Sequence, residues 1–321
     1  MSDAVDVPKT YGAVLLGGLF SAWLGGMVSA QTVVYIKLYW KRDSTKLKSL
    51  VGAVWFLDAL HSMAVWVAAW YYFIDHFSAA EGIARIPWSI AMTVVFTALV
   101  IFLVHLFLAR RIHLLSHGNY YLSASVTVLA VLRLMSACLT TGTMFHYGTF
   151  KDFRDHFSWV FTLGLALSSA VDILITCCLF VLLHQTRTSM HMPGLTSVLD
   201  TLILYAFESG SLTCVATVVS MLCWITMNYN LIFLGLHFVI AKLYANTFLA
   251  TLNMRYMIRD SGRGSSAGNP GIIVLESRRP GHDGGSHEMQ SGKVNALQIS
   301  VGVERSVQYD EDEDERERDR K

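Results

Sequence analysis

Seven stretches of this chain stay predominantly apolar for about twenty residues or more, and no other feature limits its fold so strongly. A helix rises 1.5 Å per residue, so roughly 20 apolar residues match the ~30 Å hydrocarbon layer of a bilayer. The stretches run from Gly12 to Tyr39, Leu50 to Phe73, Trp88 to Ala109, Tyr120 to Thr143, Ser158 to His184, Ser197 to Met227 and Leu231 to Met254. An isolated strand in lipid would leave its backbone groups unpaired, and the alternation of a barrel strand is absent, so each stretch reads as a helix. Only 15% of residues are charged and 53% are hydrophobic, which sets the chain apart from soluble domains with about a quarter charged. The expected fold class is an all-α membrane protein, a seven-transmembrane-helix bundle spanning residues 12–256. A short extracellular N-terminus, residues 1–11, precedes it, and a disordered cytosolic tail, residues 257–321, follows.

Lys and Arg near helix ends set the orientation. One side collects Lys41, Arg42, Lys46, Lys48, Arg110, Arg111, Arg187, Arg255, Arg259 and Arg263; the other has Lys9, Arg85, Lys151 and Arg154. The first side is therefore expected in the cytosol, with the N-terminus outside, and the plasma membrane is the expected location. Trp40, Trp70, Trp88, Tyr120, Tyr121, Trp159 and Trp224 fall near helix ends, where amphipathic rings sit at headgroup level. After Arg259 the chain turns rich in Gly, Ser, Pro and charge and ends in DEDERERDRK, a composition unable to bury a core. Two apolar islands interrupt it, Gly271 to Leu275 and Val294 to Val303.

The five cysteines lie inside apolar stretches and read as small packing residues rather than a disulfide framework. No N-x-S/T sequon occurs. Gly18, Ala22 and Gly26 recur every four residues and suggest a smooth stripe for close helix approach, either within the bundle or between two copies. Pro193 and Gly194 break the chain before helix six, with Thr196 placed as its N-cap.

Charged groups at bilayer depth cost roughly 2.5–3.5 kcal/mol each on insertion scales, so they face the bundle and pair. Arg133, Asp172, Glu208 and Lys242 fall near the middle of helices four to seven, and Asp58 with His61 in helix two. The expected pairs are Arg133 with Asp172, a structural ion pair, and Glu208 with Lys242. Asp58 and His61, at i and i+3, share a helix face. Asp58, His61, Glu208 and Lys242 are the candidate ligand or ion site, while pairing that only fixes helix register is the plainer reading. His105 and His237 are single histidines expected to be satisfied packing groups.

Two sharper chemistries fit poorly. Lys242 stands mid-membrane where rhodopsins form a Schiff base, but Phe238 holds the position where microbial rhodopsins usually place an Asp. Asp58, His61, His105 and His237 offer zinc-ligand types without the H-x-x-x-H spacing of seven-helix ceramidase-like hydrolases. No phosphate loop, soluble Ser-His-Asp arrangement or nucleic-acid surface is present, so no catalytic residue, metal, cofactor or nucleic acid is expected.

WFLDALHS (Trp55 to Ser62), FLARRIHLLS (Phe107 to Ser116), VDILIT (Val171 to Thr176) and AKLYANTFLATLNMR (Ala241 to Arg255), in this order, resemble a large fungal, chiefly basidiomycete, family of seven-helix membrane proteins catalogued as a domain of unknown function. The resemblance runs from about Gly12 to Arg255 and falls on Asp58, His61, Arg110, Arg111, Asp172, Lys242, Asn246, Leu252, Asn253 and Arg255. It implies a fold and a membrane location and brings no ligand, reaction or partner. The leading expectation is a receptor-like or sensor-like protein with a polar midplane site. It would contact membrane lipids and pass its signal to a cytosolic protein partner through its loops, its tail and a surface around Arg110, Arg111 and Arg255. A transporter or proton-coupled carrier is the alternative, and a non-catalytic scaffold a third.

Overall fold

A computed structural model describes residues 7–76, 82, 84–189, 193–227 and 230–261. Among them seven helices of 26 residues or more follow one another: α1 (Val7–Tyr39), α2 (Thr45–Trp70), α3 (Trp88–Leu115), α4 (Tyr120–Tyr147), α5 (Phe150–Ser189), α6 (Pro193–Thr226) and α7 (Ile232–Ser261). Six are long and apolar enough to cross a membrane; α6 contributes a shorter apolar stretch, Gly210–Thr226. The described residues are thus helical throughout apart from short links, and the helices are those of a multi-pass membrane protein.

Local chemistry explains most of the ends. Asn119 caps α4 by accepting a hydrogen bond from the Tyr121 N–H at 3.0 Å. Gly148, at φ 65°, closes the same helix in the left-handed conformation and donates to the Met144 carbonyl at 3.0 Å. One π-turn, Tyr71–Asp75, ends α2, and the buried Tyr72 hydroxyl donates from it to the Arg85 carbonyl at 3.0 Å. The Ile86 N–H in turn reaches the Gly148 carbonyl at 2.8 Å, so the chain entering α3 is tied to the end of α4.

Two boundaries differ from expectation. Helix α6 begins at Pro193, not after an N-cap at Thr196. Proline suits the first helical position, where its fixed φ is preorganised and its missing N–H removes no intrahelical bond. Helix α7 runs on to Ser261, so residues 257–261, expected to belong to the tail, are helical. The rest of that tail and its two apolar islands lie outside the described residues, as do residues 1–6. In α5 the backbone leaves helical geometry at Phe157 (φ −132°, ψ 17°), next to the expected start at Ser158, and a short helical segment precedes the kink.

Each helix packs on the next in sequence, and α7 closes the ring on α1. The interior belongs to α3 and α7, which also touch each other: 56% and 67% of their apolar windows are buried, against 22% for α1 and for α4. The outward faces of α1 and α4 carry Leu15, Leu19, Phe20, Trp23, Leu132, Met135 and Leu139, all exposed. Such a surface suits contact with lipid. One end of the bundle is an aromatic plug in which Trp224 meets Phe161 and Phe233 at centroid separations of 4.8 and 4.7 Å. Its indole donates to Thr162 Oγ1 at 3.1 Å, and the Arg154 guanidinium lies 4.2 Å from the ring centroid. At the opposite end Tyr35, Tyr39, Val51, Ile101, Phe248 and Leu252 pack together.

Within the bundle, the α1–α7 contact uses a different line of residues from Gly18, Ala22 and Gly26. Gly26 is exposed with nothing within 4 Å of an added Cβ, and Gly18 would meet only Val65 at 3.8 Å. The buried line on α1 is instead Val14, Gly17, Ser21, Val28, Thr32 and Tyr35. A four-residue repeat drifts about 40° per step around a 3.6-residue helix, whereas alternating steps of three and four stay on one face. Gly17 and Gly235 approach so closely that a Cβ on either would strike backbone of the other helix. Further along, Asn246 Nδ2 donates to the Leu24 carbonyl at 3.1 Å and Asn253 Nδ2 to the Gln31 carbonyl at 2.9 Å. Both members of this pattern recur every seven residues.

Candidate functional site

Near the middle of α7, Lys242 is completely buried, and a buried ammonium must find acceptors for its three protons. Its Nζ lies 2.9 Å from Asp58 Oδ1, 2.9 Å from the Asp58 carbonyl oxygen and 2.6 Å from Ser62 Oγ. The directed hydrogen bonds go to the carbonyl and to Ser62. Oδ1, at 2.9 Å, supplies the counter-charge. Ser62 also donates to the Asp58 carbonyl at 3.0 Å, which holds the α2 turn that receives the lysine. Gly25 of α1 covers the pair: a Cβ there would sit 3.6 Å from both Nζ and Ser62 Oγ.

This geometry replaces the expected pairing of Lys242 with Glu208. Glu208 does sit on the neighbouring helix α6, but its side chain is exposed. Sequence depth placed the acid at a similar level; rotation about the α6 axis turned it away. Asp58 takes the lysine because α2 also packs on α7. His61, one turn from Asp58, is wholly buried with its ring edge-on to Phe238, and neither ring nitrogen has a hydrogen-bond partner among the described residues.

A second buried group forms two residues along α7. The Tyr244 hydroxyl donates to Asp172 Oδ2 in a short hydrogen bond, and His105 Nε2 meets the other carboxylate oxygen at 3.2 Å. Ser168 Oγ lies 3.3 Å from the same hydroxyl, and the His105 and Tyr244 rings stack edge to face at 5.6 Å. Two side chains, His105 of α3 and Tyr244 of α7, therefore satisfy the one carboxylate of α5, and Ser168 supports the tyrosine. This too corrects an expected pair, because Arg133 makes no ion pair with Asp172 among the described residues. His105, expected to be a packing histidine, is satisfied by a charge. Arg133 is 8% exposed, and its Nε and Nη1 have no partner among the described residues.

Arg110 is exposed and Arg111 half-buried near the end of α3, while the Arg255 side chain lies outside the described ones. Among the described residues no three His, Cys, Asp or Glu side chains gather as a metal ion would require. The five cysteines are free thiols. Sequence reading missed Ser62, Tyr244, Asn246 and Asn253 as interhelical contacts. The signal was available: polar residues at 242, 246 and 253 mark one face of an otherwise apolar helix, four and seven residues apart.

No curated protein and no solved structure matches this chain. Residues 168–257, which take in Asp172, Lys242 and Tyr244 but neither Asp58 nor Arg133, match the model of a family of unknown function, DUF6534.

Proposed function

We propose that this protein is a receptor-like or sensor-like membrane protein, crossing the plasma membrane seven times with its N-terminus outside and its C-terminus in the cytosol. Its ligand site lies around Asp58, His61 and Lys242, with the coupling surface at the end of the bundle bearing Arg110, Arg111 and Arg255. Glu208, exposed on α6, drops out of the site.

The observation that carries the reading is His61. Pairing alone accounts for Lys242 with Asp58 and for Asp172 with Tyr244 and His105. It gives no reason to bury an imidazole completely while leaving both nitrogens without a partner among the described residues. Such a group costs stability, about 1–3 kcal/mol for an unmet buried polar group, and costs of this kind collect at functional sites. The basic residues at one set of helix ends support the orientation, and the apolar stretch Gly210–Thr226 supports α6 as the seventh crossing.

The test is His61→Leu in lipid discs. The variant melts higher than wild type, while a sterol, lipid, amine or organic acid that raises the wild-type melting temperature no longer does so. A variant that melts lower assigns the imidazole to the packing of α2 against α7. If no compound in such a screen shifts the wild type, the scaffold reading replaces this one.

A further inference from the structure

The link between α1 and α2 gathers positive charge. Lys37, Lys41, Arg42, Lys46 and Lys48 fall within twelve positions, and Asp43 is the one acid among them. Lys37, Lys41, Arg42 and Lys46 are exposed, and Lys48 is half-buried. Asp43 is drawn toward the bundle: its carboxylate accepts a hydrogen bond at 3.0 Å from the hydroxyl of Tyr35, a fully buried residue of α1. The acid that the sequence sets among the lysines is thus committed to a buried tyrosine, and the face turned outward is cationic.

Trp40 fixes the depth of that face. Just past the end of α1 its ring is 49% exposed, and Lys48 Nζ lies 5.5 Å from the ring centroid. An exposed tryptophan at a helix end sits at headgroup level. The cations around it therefore lie where lipid phosphates are, with Lys37 one turn deeper and able to extend its stem toward them. Lys48 starts from α2 and leans over a ring at the end of α1, so charges from both helices converge on one spot.

Membrane orientation asks only that basic residues lie on this side. It gives no reason to crowd five of them into one link, while α3 ends on Arg110 and Arg111 and α5 on Arg187, or to engage the acid between them. A phosphatidylserine headgroup carries a single net negative charge and needs no such crowding. An inositol lipid phosphorylated on its ring concentrates several negative charges on one headgroup, and clustered cations beside a membrane helix are what hold it.

We propose that the α1–α2 link is a phosphoinositide site, in which Lys41, Arg42, Lys46 and Lys48 hold the phosphorylated ring and Trp40 packs against the glycerol region of the same lipid. It rests on the orientation proposed above only for which leaflet supplies the lipid.

The experiment titrates the full chain in neutral detergent micelles with short-chain phosphatidylinositol bisphosphate, with phosphatidylserine at equal total charge, and with free inositol trisphosphate. Lipid bound per chain is counted by native mass spectrometry, and the melting temperature is followed alongside. The phosphoinositide binds saturably, one per chain, and raises the melting temperature. Lys41→Gln with Arg42→Gln, at two exposed positions, melts as wild type without lipid and binds about 25-fold more weakly, at about fivefold per charge. Lys151→Gln, an exposed cation at the start of α5 and so at the other end of the bundle, binds as wild type. Phosphatidylserine binding as well at equal charge would reduce the link to diffuse attraction and overturn the proposal. Equal affinity for free inositol trisphosphate would overturn the lipid assignment. No saturable binding, or an unchanged double variant, would remove the site. Micelles have no sides, so each of these failures counts against the site and leaves the orientation standing.

Discussion

Removing the Lys242 ammonium tests the central packing assignment. In Lys242→Met the side chain keeps its length and apolar stem, while Asp58, 3% exposed, loses its counter-charge at 2.9 Å. The Asp58 carbonyl and Ser62 hydroxyl lose a donor as well. Breaking a buried pair by removing one partner costs about 3–5 kcal/mol, most of it from the stranded charge. Replacing both members by apolar groups of similar volume is near neutral or even stabilising. Lys242→Met therefore loses about 3–5 kcal/mol in reversible unfolding in mixed micelles. The double variant with Asp58→Leu recovers most of that loss, giving a coupling of at least about 2 kcal/mol. Glu208→Gln, on an exposed side chain at bilayer depth, loses no stability, because it removes an unpaired charge from lipid. A Lys242→Met loss below about 1 kcal/mol, or a double variant equal to the sum of its parts, refutes the pairing. A large loss in Glu208→Gln would reinstate the pair expected from sequence.

The α1–α7 approach distinguishes two glycines. Gly235→Ala places a Cβ against the Ala13 carbonyl and costs about 1–3 kcal/mol by overpacking, whereas Gly26→Ala meets nothing and gains about 0.5–1 kcal/mol, both read by the same unfolding assay. Tyr244→Phe keeps the ring beside His105 but removes the hydroxyl donor to Asp172; the expected loss is about 1–3 kcal/mol, and a neutral result would remove the carboxylate cluster as a stabilising element.

Depth along each helix was legible in the sequence, and direction around it was not. Hydropathy counts residues from a helix end, so it located the apolar helices, the Trp88 and Tyr120 starts, and the level of Lys242. Partner choice depends on the angle at which a side chain leaves its helix and on which helices touch. Glu208 and Arg133 were at suitable depths and faced the wrong way for Lys242 and Asp172. The same blindness moved the glycine stripe by one residue, from Gly18 to Gly17. Periodicity does carry angular information where polar residues are rare. The seven-residue step from Asn246 to Asn253 matches the step from Leu24 to Gln31, and that match gives the register of α1 on α7. Nothing in the spacing of His61 or Arg133 discloses that both nitrogens of the first and two of the second have no partner among the described residues, because that property belongs to the gaps between helices.

Lys242 and Tyr244 stand two positions apart on α7, so they leave its axis about 200° from each other and reach α2 on one side and α5 on the other. They behave as two latches on one shaft. Turning α7 about its axis swings both side chains at once, and no rotation releases the lysine while leaving the tyrosine seated. The shaft is pinned near one end, where Gly17 and Gly235 touch. Asp58 and Asp172 are thus joined through the torsion of a single rod.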